Sequence, residues 1–202
     1  MIKQVYRTFL IFLFFDWERK KIMGDEIKRV GRELIHKGAI IDVYTDHMEF
    51  SNGHHADWDF IHHDGAAAVV PVLPDGRILM VRQFRNALDR ETLEIPAGKL
   101  DASDEPGCAC ASRELEEETG YRSEQLEWLI TLRTTVAFCD EKIEIYVAEN
   151  LEPSRQNLDE DEFVDVKAYT LEQLKEKIYS GVIQDSKTVA ALLAYEAKYL
   201  RQ

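Results

Sequence analysis

The sequence predicts an α+β fold, with a β-only portion up to about Asp64 and strands mixed with helices after it. Three observations carry this. Strand-like segments separated by turn signals run from Glu26 to Phe84, with a further short strand over Thr92 to Ile95. One helical stretch follows, with proline near its start and glycine at its stop. Two more helices close the chain. At 202 residues there is room for one main core with a small satellite.

Taken in order, residues 39–49 read as a strand, and Asn52-Gly53 is a hairpin turn that returns the chain over 56–63. Ala66 to Leu73 is an apolar run suited to a buried central strand. Pro74-Asp75-Gly76 then turns it into a second hairpin arm, Arg77 to Arg85. A short strand over Thr92 to Ile95 ends at Pro96. The helix that follows has Asp104 as its expected cap, Pro106 in its first turn and Gly120 as its stop. Strands are expected near 125–134, 142–149 and 163–169, with an acidic loop at 157–162. The last helices fall near 171–179 and 186–200, the latter with Val189, Leu192, Leu193, Ala197 and Leu200 spaced for one buried face.

Composition narrows the function. Hydrophobic residues at 45% and charged residues at 31% describe a globular chain. A net charge of −13 lacks the basic footprint of a nucleic-acid binder, and a polyanionic small molecule would need divalent cations to approach. Cys108, Cys110 and Cys139 form neither a disulfide framework nor a zinc pattern; they suit a reducing cytoplasm and small packing roles. The run Phe9 to Phe15 is too short to span a bilayer and is followed by charge where a cleavage site would stand. Residues 1–23 are therefore expected to be an appendage outside the fold, with Met23 a possible initiator and no membrane partner.

The chemistry concentrates in Arg113-Glu114-Leu115-Glu116-Glu117-Glu118-Thr119-Gly120-Tyr121. At ~100° per residue, Glu114, Glu117 and Glu118 share one helix face within about a 100° arc. Carboxylates gathered this way repel one another unless a hard cation sits among them, and Mg²⁺, with its oxygen ligands, is the expected one. A solvated acidic helix face is the alternative that the glutamates alone leave open.

The flanking pattern decides between them. From Gly98 onward the stretch resembles the Nudix box, whose second half, Arg-Glu-hydrophobic-x-Glu-Glu-x-Gly-hydrophobic, is matched here at every fixed position. Gly98 to Arg113 is one residue longer than the pattern, so the first box acid is either Asp104 or Glu105. Arg82-Gln83-Phe84-Arg85, Leu93-Glu94-Ile95-Pro96-Ala97-Gly98 and Gly181 to Thr188 extend the resemblance to the ADP-ribose pyrophosphatase branch, over roughly residues 26–202. Thr135-Val136-Ala137 stands where that branch commonly has Ser-Pro-Gly.

The resemblance implies a Nudix α/β/α sandwich over 65–202, with 24–64 a small β domain used for homodimerisation. It implies metal ligation by the Ala97 carbonyl, Glu114, Glu118 and Glu162, with Mg²⁺ expected and Mn²⁺ possible. Glu117 matches the adjacent box acid and is expected to take part in catalysis. Glu160, in the acidic loop, matches the catalytic base, since attack on phosphorus needs a deprotonated water. Arg85 and Glu141 match substrate-binding residues, and Trp58 or Phe60 either stacks on adenine or packs in the core. The implied reaction is Mg²⁺-dependent hydrolysis of ADP-ribose to AMP and ribose 5-phosphate in the cytoplasm. The alternatives are another nucleoside diphosphate sugar or dinucleotide, or a non-catalytic nucleotide-sensing domain.

Overall fold

The computed structural model describes residues 26–102, 104–158 and 162–200. The expectations for residues 1–23 and for Glu160 lie outside the described residues. Backbone contacts divide the chain into two units, one up to Ile61 and one from His62 onward.

The first unit is a three-stranded sheet in the order β1 (Ile27–Lys37), β2 (Asp42–Phe50), β3 (His55–His62). β1 and β2 run antiparallel. The Asn52-Gly53 turn forms as the dipeptide predicts. Gly53 takes φ +80°, a region glycine enters without steric cost, and the Asn52 carboxamide oxygen accepts the His54 N–H at 3.0 Å. Arg32 donates to Asp46 at 2.5 and 2.7 Å, and its guanidinium lies 3.6 Å from the Phe60 ring centroid.

In the second unit, β4 (Ala66–Pro71) is central in a four-stranded sheet of order β7 (Ala97–Lys99), β4, β10 (Lys142–Glu149), β9 (Gln125–Arg133). β4 and β10 are parallel and the other pairs antiparallel. A second sheet has the order β12 (Asp165–Tyr169), β5 (Ile78–Arg85), β6 (Arg90–Glu94). The expected hairpin between 66–73 and 77–85 is therefore not a ladder. A single bridge, Val72 with Ile78, marks where the chain leaves one sheet for the other. The turn itself was read correctly, with Gly76 at φ +81°. A turn fixes the local reversal, but the partner of each strand is set by which apolar faces meet. The small pair β8 (Tyr121–Arg122) and β11 (Glu152–Pro153) carries no sequence signal and was not expected.

The apolar run in β4 is buried on both faces. Ala67 and Val69 pack with Tyr146, Ala148, Cys110, Ala111 and Leu115. Ala68 and Val70 pack with Ile143, Ile145 and residues of the two C-terminal helices. Helix α1 (Gly107–Thr119) thus covers one side, and α2 (Leu171–Tyr179) with α3 (Ser186–Tyr195) the other. Alternate side chains of one strand feeding two cores is what a sheet between helical layers requires.

Helix α1 does not start as expected. Pro106 is the N-cap residue and no side chain caps it, so Asp104 does not serve. Instead the Glu144 carboxylate of β10 lies against the first turn, so close that a Cβ on Gly107 would stand 2.3 Å from Glu144 Oε2. An acid at a helix N-terminus is favoured by the partial positive charge there, and a methyl on Gly107 would push that carboxylate aside. Gly120 ends the helix at φ +69°, its N–H bonded to the Glu116 carbonyl.

The last helix differs too. Asp185 caps α3 by accepting the Thr188 N–H at 2.9 Å, and the helix ends at Tyr195, followed by a π-helical turn, Glu196–Leu200. The widened turn breaks the 3.6-residue register, so Ala197 and Leu200 are exposed; Leu193, within the regular helix, is half-buried. The buried face is Thr188, Ala191, Leu192 and Tyr195. Cys110 is buried as expected, whereas Cys108 is exposed and does not pack in the core. No helix among the described residues is long and apolar enough to cross a membrane.

Candidate active site

The site is built where β7 passes α1. Glu118, 3% exposed, accepts the Ala97 N–H at 3.0 Å. Glu114, one turn earlier, lies directly beneath Gly98: a Cβ there would stand 1.9 Å from Glu114 Oε1 and 2.2 Å from its carboxyl carbon. Gly98 therefore leaves a cradle that the carboxylate fills. Ala97, Glu114 and Glu118 are thus brought together by the β7–α1 contact.

Burial governs the electrostatics. Desolvation pushes the Glu114 carboxyl up to about 7, against the pull of the adjacent Arg113. It pushes Glu118 up to about 8, with the Glu114 charge adding to the effect and the Ala97 N–H opposing it. Glu162 contributes repulsion to both, so its carboxylate shares this neighbourhood while remaining solvent-exposed.

Arg113 organises the same turn. Its Nη1 donates to Glu114 at 2.6 Å and to Glu117 at 2.9 Å, while Nη2 donates to the Lys99 carbonyl at 3.1 Å. Its Nε lies 3.3 Å from Asp101 and 3.5 Å from Glu105. Glu105 also accepts the Asp101 N–H at 2.8 Å. Of the two candidates for the first box acid, Glu105 is the one the structure places against Arg113. With Glu114 and Glu117 turned onto Arg113, and Glu118 onto Ala97, no three acidic, histidine or cysteine side chains among the described residues converge as a closed cluster.

A cleft of about 570 Å³ opens beside this turn, lined among others by His63, Arg85, Glu94, Ala97, Gly98 and Glu141. Arg85 reaches it, but not as a free side chain. Glu94 accepts two bonds from it, Nε at 2.8 Å and Nη2 at 2.7 Å. The Glu94 carboxylate is 2% exposed and is also bonded by Lys187 and, at 2.6 Å, by the Thr92 hydroxyl. Burial opposes its ionisation, yet Arg85 and Lys187 hold it down at about 2. Lys187 donates onward to Asp185 at 3.1 Å. This network was not assigned from the sequence. Glu94 and Lys187 lie in segments whose resemblance was evident, but no spacing rule connects residues ninety-three positions apart.

Glu141 lines the cleft and accepts the Thr134 hydroxyl at 2.5 Å. Trp58 is half-exposed, edge-on to Phe50 at 6.0 Å, and Phe60 has one face taken by Arg32.

The donors at the β7–α1 turn are all oxygens, two of them on carboxylates that are costly to ionise without compensation. That chemistry fits a hard divalent cation. Residues 62–192 match the model of the NUDIX domain. Over 169 residues the chain is 42% identical to a methanol dehydrogenase activator of Bacillus methanolicus, covering 83% of this chain and 91% of that protein. Over 178 residues it is 40% identical to an ADP-ribose pyrophosphatase of Bacillus subtilis, covering 87% and 93%. The fold is similar to a crystal structure described as an ADP compounds hydrolase, with a TM-score of 0.76 at 22% identity over 85% of this chain and 93% of the other. With the box residues assembled on α1 against β7 and the domain model spanning most of the chain, this protein belongs to the Nudix hydrolase family.

Proposed function

We propose that the protein hydrolyses the diphosphate of ADP-ribose, giving AMP and ribose 5-phosphate, with Mg²⁺ as the working ion and Mn²⁺ as a substitute. The observation that carries this reading is two buried, reluctantly ionised carboxylates, Glu114 and Glu118, held against Gly98 and Ala97, which themselves line a cleft that also carries Arg85, Arg90, Lys99 and Lys187. The identity to proteins named ADP-ribose pyrophosphatase supports the substrate.

Glu114, Glu118, the Ala97 carbonyl and Glu162 would hold the ions, with Glu117 adjoining them. Bound there, a divalent ion neutralises diphosphate charge and makes a bound water more acidic. Arg85 offers Nη1 to a phosphate oxygen while Glu94 fixes the plane of its guanidinium, and a fixed fork costs less ordering on binding. Glu160, from the acidic loop outside the described residues, takes the proton of the attacking water. Glu141, which lines the same cleft, contacts the substrate.

A homodimer formed through the N-terminal sheet is part of the reading. Val30, Leu34, Ile35 and Trp58 are exposed there, each more than 45% accessible, and apolar surface of this kind favours a partner. A cytoplasmic setting fits three unpaired thiols.

The test is a substrate panel with Mg²⁺, covering ADP-ribose, other nucleotide sugars, NADH and diadenosine polyphosphates, with products identified. ADP-ribose should give the highest kcat/KM and AMP as product. Preference for another nucleotide sugar would move the substrate assignment, and no turnover of any member would favour a nucleotide-sensing role. Glu160→Gln should lower kcat far more than it changes Mg²⁺ affinity; unchanged kcat would remove it from the role of base.

A further inference from the structure

One cation of the cleft, Lys187, has no part in the scheme above. It sits in the first turn of α3 and lines the cleft, but its side chain is 10% exposed. Its ammonium donates to Glu94 Oε2 and, at 3.1 Å, to Asp185 Oδ2. An ammonium bonded to two carboxylates has little left to offer a substrate. Nor is it needed to dock the helix. Asp185 caps α3, and the Thr188 hydroxyl accepts the Ile95 N–H at 3.0 Å, which ties the helix to the residue after β6.

The Glu94 carboxylate accepts four bonds. Oε1 takes the Arg85 Nε and the Thr92 hydroxyl; Oε2 takes the Arg85 Nη2 and Lys187. Held from β5, β6 and α3 at once, it fixes the Arg85 fork and leaves Nη1 as the nitrogen for a phosphate oxygen. A charge count shows what Lys187 adds. Arg85 and Glu94 alone, bonded at 2.8 and 2.7 Å, make a neutral pair that attracts an anion only as a dipole. Glu94, 3% exposed, and Lys187 are poorly screened by water, so the ammonium returns one positive charge to the group. Asp185 shares that ammonium, but its own charge is met in part by the N-terminus of α3.

We propose that Lys187 is a positioning residue for the reaction: by offsetting Glu94, it lets that carboxylate hold Arg85 in place without cancelling the charge Arg85 presents to the diphosphate. This rests on the hydrolase reading above, in which Arg85 meets a phosphate.

The experiment compares wild type, Lys187→Met, Glu94→Gln and the double variant on ADP-ribose with saturating Mg²⁺. Lys187→Met removes the charge and leaves the Thr188 tie. Its kcat/KM should fall about 10–100-fold, the range for a weakened charge-assisted bond, with the loss mainly in KM because the charge acts on bound substrate and transition state alike. In the Glu94→Gln background, with no carboxylate charge to offset, the same change should cost less than about threefold. That double variant buries no unpaired charge, and glutamine still offers Arg85 an oxygen. Lys187→Arg, which keeps the charge, should stay within about tenfold of wild type, whereas Lys187→Gln, which keeps a donor for Glu94 but no charge, should resemble Lys187→Met. Lys187→Gln also replaces Lys187→Met in the comparison should the latter fail to fold. A loss that persists beside Glu94→Gln, a loss confined to kcat, or a Lys187→Gln protein equal to wild type overturns the proposal. A wild type that leaves ADP-ribose intact refutes the hydrolase reading instead; the same variants are then compared for affinity for inorganic pyrophosphate by calorimetry, where the same pattern supports Lys187 and its absence overturns it.

Discussion

Glu118→Gln separates the demands of folding from those of catalysis. The side chain is 3% exposed and its carboxyl is pushed up to about 8 by burial, then by the Glu114 charge. An unfolded chain ionises the same group at its ordinary value of 4.5. A carboxyl with a raised folded-state value contributes nothing unfavourable below 4.5. Above that it destabilises progressively, because the unfolded state releases a proton the folded state retains, and the penalty levels off near pH 8. Between 4.5 and pH 7, at about 1.4 kcal/mol per pH unit, the cost reaches about 3 kcal/mol. Glutamine keeps an oxygen to accept the Ala97 N–H and cannot ionise. In EDTA at pH 7 the variant should therefore be more stable than wild type by roughly 2–3 kcal/mol, or about 5–10 °C in Tm for a chain of this size. At pH 4.5 the difference should vanish. Mg²⁺-dependent turnover should be abolished throughout, and wild type alone should gain Tm on adding Mg²⁺, more at pH 8 than at pH 6, since protons compete with the ion. The assay is thermal unfolding followed by circular dichroism across pH, with and without Mg²⁺. A variant less stable than wild type at pH 7, or a gain independent of pH, would refute the reasoning.

Glu94 should behave in the opposite sense. Held at about 2 against 4.5 unfolded, it contributes about 3 kcal/mol that is present above pH 4.5 and lost as pH falls through about 2. Urea denaturation of Glu94→Gln should show that loss already at neutral pH, and an acid limb as steep as wild type's would contradict it. Gly98→Ala places a methyl where the Glu114 carboxylate lies. The carboxylate is the free end of a side chain and can swing aside, so the protein should fold, with Tm within a few degrees of wild type. Turnover should fall about 100-fold, the cost of displacing a working group by about an ångström; a near-normal kcat would mean Glu114 is not a ligand. Thr188→Val leaves the buried Ile95 N–H without its acceptor, 3.0 Å away in the native protein. It should cost about 1–3 kcal/mol by denaturant titration, and a neutral result would show that the N–H finds another partner.

Local signals in the sequence were reliable where local chemistry suffices. The Asn52-Gly53, Pro74-Asp75-Gly76 and Gly120 turns form because φ values near +70 to +80° select glycine whatever surrounds them. The box glutamates were legible because helical geometry alone puts Glu114 and Glu118 one turn apart on one face. The exit of α3 into a π-helical turn was not legible, since periodicity carries no mark of where its register will slip.

What the sequence determined by itself is the inventory: the family, the layers, the acids on one helical turn and the arginine beside the cleft. Each follows from residue type and short spacing, which act within a few ångströms along the chain. What only the tertiary structure decided is how those groups are held. Burial beneath Gly98 makes two ordinary glutamates reluctant acids. Lys187 reaches across ninety-three positions to share Glu94 with Arg85. Desolvation and hydrogen-bond partners depend on what packs nearby in space, and that is fixed only once the sheets and helices have met.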